Sequence, residues 1–334
     1  MANGTLKKLI NDPCRVVDEM LEGFTTAHAD IVSRPAPRVV SRAKKPEAKV
    51  GLAIGGGSGH EPAVLGYVGY GMADVAAVGN IFAAPSPDII YESIVQADGG
   101  KGVVLAYGNY TGDVLNCRLA AERATAAGIQ VRQVFDSDDV ASAGPDERDK
   151  RRGTAGDIMV WKTAGAAAEA GLSLDDVERI ARKANASTRT LGVALTSAEL
   201  PGVDRPIFET APGEMNVGMG VHGERGVSRQ PLGSADEVGR LLADRVLDDL
   251  ACPAGSRTAV LVNGFGSTPA LEQYLIYRAA RAAVAERGLV VERSYVGEFI
   301  TTLQMAGVSV TVTMLDDELT SLLDAPALTV GFAK

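Results

Sequence analysis

Cysteine, histidine and aromatic residues are scarce in this chain of 334 residues, and the scarcity excludes several classes of protein. Cys14, Cys117 and Cys252 are too few and too widely spaced for a disulfide framework, and no CxxC pair is present for a zinc knuckle. We expect all three thiols to be reduced. Aromatic residues make up only 5% of the chain whereas glycines number 38, which favours α/β packing of small residues over a β-sandwich.

Long apolar runs are absent as well, and the densest basic run, Arg148 to Arg152, also contains Asp149 and lies in a polar loop that we interpret as exposed surface. No stretch reaches the roughly 18 apolar residues that a membrane-spanning helix needs, and the N-terminus lacks the residue order of a signal peptide. The net charge is −9, and no basic stretch is interleaved with aromatic residues. We therefore expect a cytoplasmic protein that binds neither a membrane nor a nucleic acid.

Short apolar runs alternate with amphipathic segments, an order typical of α/β proteins. In the first half, the runs predict strands at residues 50–54, 75–78, 103–107 and 129–134, in a mostly parallel sheet. In the second half, they predict strands at 191–195, 217–221, 258–262, 290–295 and 308–314. We expect two α/β domains, residues 1–187 and 188–334, each with a mostly parallel or mixed sheet flanked by helices.

Two of the three histidines lie in glycine-rich turns that follow apolar runs: His60 in GGGSGHEP and His222 in GMGVHGERG. Glycine allows the backbone positive φ angles and a close approach to a ligand. We expect the first turn to precede a helix, whose N-terminal amides would hold a phosphate or polyol oxygen. The turn is not a P-loop because no GK[ST] follows, and His60 occupies the place of the third glycine of a dinucleotide motif.

A third motif, GNYTGD, follows the strand predicted at 103–107 and places Asp113 in the first turn of a helix. Asp113 is either a helix cap or, with His60, part of a ligand site at the carboxyl ends of the strands. Imidazole suits proton transfer near neutral pH, and His222 could also add reversibly to a ketone carbonyl. A zinc site using both histidines is the other chemical option, but no HxH or HExxH spacing supports it, so we expect no metal.

Taken in order along the chain, GGGSGHEP, GNYTGD and GVHGE closely resemble the K (substrate-binding) subunit of dihydroxyacetone kinases. The resemblance also includes the segment from Asn80 to Asp88 and the ending MLDDELTSLLDAP, and it covers nearly the whole chain from LKKLIND onward. It implies two α/β domains, a homodimer, and phosphorylation of the terminal hydroxyl of a short ketose. It also implies a separate L subunit that carries ATP or ADP with Mg²⁺, since this chain has no P-loop or kinase signature.

The same resemblance assigns roles to individual residues. It makes His222 the residue that holds the ketone as a covalent hemiaminal, His60 its acid/base partner, and Asp113 the group that activates the hydroxyl to be phosphorylated. The residues that it implies for the substrate pocket, besides these three, are Gly57, Ser58, Gly59 and Gly108.

Gly108 departs from the family pattern, in which many relatives carry lysine before NYTGD. This leaves the preferred ketose open, and a four-carbon ketose such as erythrulose is the alternative to dihydroxyacetone. A dihydroxyacetone-sensing transcriptional coregulator without kinase activity is another alternative. A sensor would need His222 but would have little use for His60 or Asp113. A dinucleotide-binding protein is disfavoured because no acidic residue ends a suitable second strand.

Overall fold

The computed structural model describes residues 8–45 and 47–334, so the first two residues of LKKLIND lie outside the described residues. The α-helices are α1 (Val16–Ala27), α2 (Pro87–Ala97), α3 (Thr111–Ala126), α4 (Asp157–Glu169), α5 (Leu174–Ala186), α6 (Ala235–Leu250), α7 (Ala270–Glu286) and α8 (Asp317–Asp324). The strands of the first half are β1 (Val32–Ala36), β2 (Val39–Arg42), β3 (Gly51–Ser58), β4 (Gly69–Tyr70), β5 (Val75–Ile81), β6 (Val103–Gly108) and β7 (Val131–Asp136). Those of the second half are β8 (Thr188–Ala194), β9 (Glu214–Val217), β10 (Ser228–Pro231), β11 (Arg257–Gly264), β12 (Val290–Gly297), β13 (Gly307–Leu315) and β14 (Leu328–Thr329).

The first sheet has six strands in the order β1-β2-β5-β3-β6-β7. The four strands from β5 to β7 are parallel, as the uninterrupted apolar runs predict, and β1 and β2 add an antiparallel edge. Helices α2 and α3 cover one face through apolar side chains such as Ile90, Ile94 and Cys117. Helices α4 and α5 cover the other face, so the sheet is buried on both sides.

The second sheet also has six strands, in the order β10-β9-β8-β13-β11-β12. Only β11 and β12 are parallel, and the other neighbours pair antiparallel. Helices α6 and α7 pack on one face around Leu242, Val246 and Ala280. Ala259 and Leu261 of β11 belong to the same buried cluster as residues of β3 and α4, so this cluster joins the two halves.

The predicted fold class is confirmed, and two local predictions are corrected. The strand predicted at 217–221 is β9 and ends at Val217, which leaves Met219 to His222 in a turn. GGGSGHEP does not precede an α-helix: its first four residues are the end of β3, and turns and a short 3-10 helix (Leu65–Tyr67) follow. The amides of this segment are therefore not a helix N-terminus. The N-terminal helix begins at Val16, with no side-chain cap.

The last residues return to the first half of the chain. β14 pairs antiparallel with β4, and Phe332 is buried in the cluster that joins the halves. The two large sheets separate between β7 and β8, but this returning segment crosses that line. The domain bounds 1–187 and 188–334 therefore stay a prediction. None of the helices in the described part of the chain has the length and apolar content that a membrane crossing requires.

Candidate active site

A small cavity lies at the carboxyl ends of β3 and β6, where parallel sheets usually hold ligands. Its volume is about 50 Å³, which is room for a compact ligand and far too little for a nucleotide. All three sequence motifs reach it, because His60, Asp113 and His222 are among its lining residues. The structure thus brings together three side chains that are far apart in the sequence.

His60 is held in one tautomer at the cavity wall. Its Nδ1 lies 2.7 Å from the backbone carbonyl oxygen of Thr301, which can only accept a hydrogen bond, so Nδ1 carries the proton. Its Nε2 is buried and has no hydrogen-bond partner. Burial, together with the charge of His222, lowers the pKa of His60 to about 3. At neutral pH His60 therefore presents an unprotonated Nε2.

His222 is oriented in a comparable way by Glu224. The Nδ1 of His222 lies 2.9 Å from one carboxylate oxygen of Glu224, and the other carboxylate oxygen accepts from the backbone amide of His222 at 2.9 Å. Burial would raise the pKa of Glu224, but the hydrogen bond from His222 and the charges of His222 and Arg152 hold it at about 2. An ionised carboxylate only accepts, so Nδ1 of His222 donates, and in the neutral ring the lone pair then lies on Nε2.

Aromatic rings fix the position of the His222 ring. The His60 ring lies edge-on to it with centroids 4.8 Å apart, and Tyr110 lies edge-on at 4.7 Å. Phe82 stacks on His60 at 4.8 Å and meets His222 at 5.4 Å. Such edge-to-face contacts restrict the orientation of the imidazole and keep water away from its faces.

Asp113 occupies the first turn of α3, as predicted, but it is not the helix cap. The N-cap position is Tyr110, and one carboxyl oxygen of Asp113 is buried without a partner. Burial raises the pKa of Asp113 to about 7, although the charge of His222 acts in the opposite direction. A carboxyl group poised near neutrality in a cavity is typical of a general base.

The remaining predicted pocket residues divide into two groups. Gly57 and Gly108 line the cavity. Ser58 and Gly59 are not among the lining residues, since the Ser58 hydroxyl donates to the carbonyl of Gly79 and the Gly59 amide donates to the carboxylate of Glu61. Their contribution is to hold the end of β3 in place.

Several residues of the site were not singled out from the sequence. Tyr110 lies inside GNYTGD and could have been found from that motif. Thr301 could not have been found from the sequence, because it contacts His60 through its backbone carbonyl and lies 241 positions away in the chain. Arg152, in a polar loop interpreted as exposed surface, instead contacts Glu224 at 3.8 Å and Asp139 at 2.7 Å. No cluster of three metal-ligating residues occurs in the described ranges.

Comparisons with known proteins identify the family. Residues 22–331 match the family model described as the Dak1 domain. A protein of Listeria innocua, named PTS-dependent dihydroxyacetone kinase 2, dihydroxyacetone-binding subunit DhaK, is 42% identical over 98% of this chain and 99% of its own length. The L-erythrulose 1-kinase of Mycolicibacterium smegmatis is 44% identical over 98% of this chain, which covers 58% of that relative.

Solved structures agree with this family. The dihydroxyacetone kinase of C. freundii in complex with AMP-PNP and Mg²⁺ superposes with a TM-score of 0.89 and 33% identity, over 98% of this chain and 61% of the other. A dihydroxyacetone kinase operon co-activator superposes with a TM-score of 0.90 and 30% identity, over 95% of this chain and 98% of the other. These matches confirm the resemblance drawn from the motifs: the chain belongs to the dihydroxyacetone kinase family and carries the Dak1 domain found in its dihydroxyacetone-binding subunits.

Proposed function

We propose that this chain is the ketose-binding subunit of a dihydroxyacetone kinase and holds its substrate as a covalent hemiaminal on His222. In this reaction the Nε2 lone pair of His222 forms a bond to the ketone carbon. The carbonyl π pair moves to oxygen, which takes one proton from a hydronium ion and becomes a hydroxyl, so the bonded ring carries one positive charge beside ionised Glu224. The observation that carries the proposal is the hydrogen bond from Nδ1 to ionised Glu224, which puts the lone pair of the neutral ring on Nε2.

His60 and Asp113 have complementary roles in this proposal. The unprotonated Nε2 of His60 accepts a hydrogen bond from the new hydroxyl and relays its proton when the adduct forms or breaks. Asp113 accepts the proton of the terminal hydroxyl that attacks the phosphoryl group. The covalent bond to His222 fixes the distance and direction of that hydroxyl, which is much of what phosphoryl transfer requires. A substrate without a carbonyl, such as glycerol, could not be held.

The phosphoryl donor comes from a second protein in this proposal. The cavity has no room for a nucleotide, and the names of several relatives describe a binding subunit of a PTS-dependent or PEP-dependent kinase. A separate L subunit would carry ATP or ADP with Mg²⁺, the nucleotide being used directly or recharged by a phosphotransferase protein. We also propose that the chain forms a homodimer, as the family resemblance implies.

The substrate is a short ketose of three or four carbons. Relatives named for dihydroxyacetone and relatives named for erythrulose have similar identity to this chain, 42% and 44%. Overall similarity therefore does not choose between dihydroxyacetone and erythrulose, and the choice depends on the cavity walls.

Carbon NMR tests the adduct directly. The chain is mixed with dihydroxyacetone labelled with ¹³C at the carbonyl carbon. We expect the ketone signal to be replaced by a protein-bound signal in the range of a saturated carbon bonded to oxygen and nitrogen. His222→Gln should abolish this signal, whereas Asp113→Asn should keep it. A bound ketone that keeps its carbonyl signal in the native chain would overturn the hemiaminal.

The alternative function is a ligand sensor. The similarity to the structure of an operon co-activator, with a TM-score of 0.90, supports this alternative. A sensor would form the adduct but transfer no phosphate. The decisive experiment adds a purified L subunit with ATP and Mg²⁺ and measures phosphorylation of dihydroxyacetone and erythrulose. Turnover supports the kinase. The assay is repeated with L subunits from the relatives and with any L protein encoded beside this chain's gene. If the adduct forms but none of these L subunits gives turnover, the result supports the sensor.

A further inference from the structure

One wall of the cavity contains a carboxyl group that neither the proposed catalysis nor the fold explains. Asp157 is the first residue of α4, lines the cavity and is only 6% exposed. Its Oδ1 is buried without any hydrogen-bond partner. A buried carboxyl oxygen without a partner is costly unless a ligand or a proton satisfies it.

A second carboxyl group lies close behind it. Asp136 ends β7, is 1% exposed, and neither of its carboxyl oxygens has a partner. Burial raises the pKa of both groups well above its usual range; the charge of Asp138 adds to this at Asp136, and the charges of Asp136 and Asp138 add to it at Asp157. Asp138 itself is satisfied, since its oxygens accept from Thr154 and Gly156. These causes favour the protonated form of Asp157, and a protonated carboxyl group can both donate and accept a hydrogen bond.

Gly108 lies beside this carboxyl group in the cavity wall. A Cβ atom at position 108 would lie 3.2 Å from the ring of Tyr110 and 3.4 Å from Oδ2 of Asp157. Both contacts are tight, so a side chain at this position would displace Tyr110 or Asp157. Glycine lets both residues keep their places in the cavity wall.

We infer that Asp157 determines substrate length: its carboxyl group hydrogen-bonds the hydroxyl of a carbon beyond the three of dihydroxyacetone, at the part of the cavity wall that it shares with Gly108 and Tyr110. The ligand class is a four-carbon ketose with a hydroxyl next to the ketone carbon, as in erythrulose. This inference rests on the proposed function, because the adduct on His222 is what places the extra carbon.

A polyol hydroxyl fits this wall better than a cation. No cluster of metal-ligating side chains occurs among the residues that the structure describes, and a neutral carboxyl group attracts a cation weakly. A hydroxyl satisfies Asp157 by donating to one of its oxygens and accepting from its proton. A site built to hydrogen-bond a substrate hydroxyl discriminates strongly against the substrate that lacks it, because its polar group is then left unpaired.

The test compares Asp157→Ala with Asp136→Ala, a matched control from the same pair of buried carboxyl groups that does not line the cavity. For each variant, kcat/KM is measured with dihydroxyacetone, L-erythrulose and D-erythrulose in the presence of the L subunit and ATP. We expect Asp157→Ala to lower the ratio of erythrulose to dihydroxyacetone by tenfold or more for one erythrulose enantiomer. Asp136→Ala should change this ratio by less than twofold.

Two further variants keep the inference testable if Asp157→Ala folds poorly. Asp157→Asn retains a donor and an acceptor and should restore most of the ratio. Gly108→Lys would displace Asp157 or Tyr110 from the cavity wall and should lower the ratio as Asp157→Ala does, while the ¹³C adduct signal on His222 persists. An unchanged ratio in both Gly108→Lys and a folded Asp157 variant without hydrogen-bonding groups would overturn the inference. Failure of the native chain to form an adduct with any ketose would instead refute the proposed function.

Discussion

The two histidines of the cavity differ in the group that accepts a hydrogen bond from Nδ1, and this difference gives their Nε2 atoms different chemical properties. Nδ1 of His60 donates to an uncharged carbonyl, and its buried ring has a pKa lowered to about 3. Nδ1 of His222 donates to ionised Glu224, which stabilises positive charge on the ring when Nε2 forms a bond. The first arrangement suits a hydrogen-bond acceptor and the second suits a nucleophile. The sequence showed the two histidines and their glycines, but the Thr301 contact could not be predicted from it.

The proton on Asp113 should govern the pH dependence of turnover. Its pKa is raised to about 7, and only the ionised form can accept the proton of the substrate hydroxyl. We expect kcat/KM of the complete kinase to rise with pH up to about 7 and then level off. Asp113→Asn should remove this acid limb and lower kcat by about a hundredfold or more, without loss of the ¹³C adduct signal. An acid limb that survives in Asp113→Asn would assign the titration to another group.

The same proton links Asp113 to stability. Since its pKa is higher in the folded chain than the unfolded value of about 3.9, the folded chain gains stability from this group below pH 4 and loses it as the pH rises through 7. Asp113→Asn should therefore raise the free energy of unfolding at pH 8 by about 1 to 4 kcal/mol and change it little at pH 4. Urea unfolding at the two pH values measures the difference. The exposed Asp88→Asn is the control and should give no comparable pH-dependent gain.

Helices and strands followed the sequence patterns where local signals were strong. Helix α5 begins at Leu174 behind a serine, which is a typical cap residue, and ends at Ala186, and β8 starts two residues later. The hairpin of β1 and β2 was missed because Arg34 and Pro35 interrupt any apolar alternation there. The second sheet is mixed, as expected, but the strand neighbours that pair antiparallel were not predicted, since strand direction depends on connections that leave little trace in the pattern of apolar residues.

The N-terminal cap of α5 contributes to the stability of the fold through contacts within this one helix. The Ser173 hydroxyl accepts from the backbone amide of Asp176 at 3.2 Å, which satisfies one of the free amides of the first turn. Ser173→Ala should lower the free energy of unfolding by about 1 kcal/mol. Ser173→Asp should recover most of the loss because aspartate is an equally good cap. The ¹³C adduct signal should be the same in both variants; a change would mean that α5 influences the cavity.

At the scale of the whole molecule, the site is a joint product of both halves. His60 and Asp113 come from the first sheet, and His222 and Thr301 come from segments beside the second. The motifs placed His60 and Asp113 together, because the carboxyl ends of neighbouring strands share an edge, and the family resemblance added His222. They did not predict Asp157 or Arg152, whose positions depend on how a polar loop folds back over that edge.

The chain alone should not complete the reaction. The cavity of about 50 Å³ has no room for a nucleotide, and the sequence has no P-loop. We expect the purified chain with ATP, Mg²⁺ and dihydroxyacetone to form no dihydroxyacetone phosphate above the background of the His222→Gln variant. Adding an L subunit should start the reaction. Product formation by the purified chain without a second protein would show that it has its own nucleotide site.

The contacts that hold His60 have a consequence for synthesis of the chain on the ribosome. Besides the ring contact, the amide of Thr301 donates to the carbonyl of His60 and the amide of Leu303 donates to that of Gly59. Thr301 is made 241 positions later than His60, a delay of roughly 10 to 50 seconds at about 5 to 20 residues per second. Throughout that time Nδ1 of His60 lacks its partner. A chain that ends before Thr301 therefore lacks the contact that fixes the tautomer of His60.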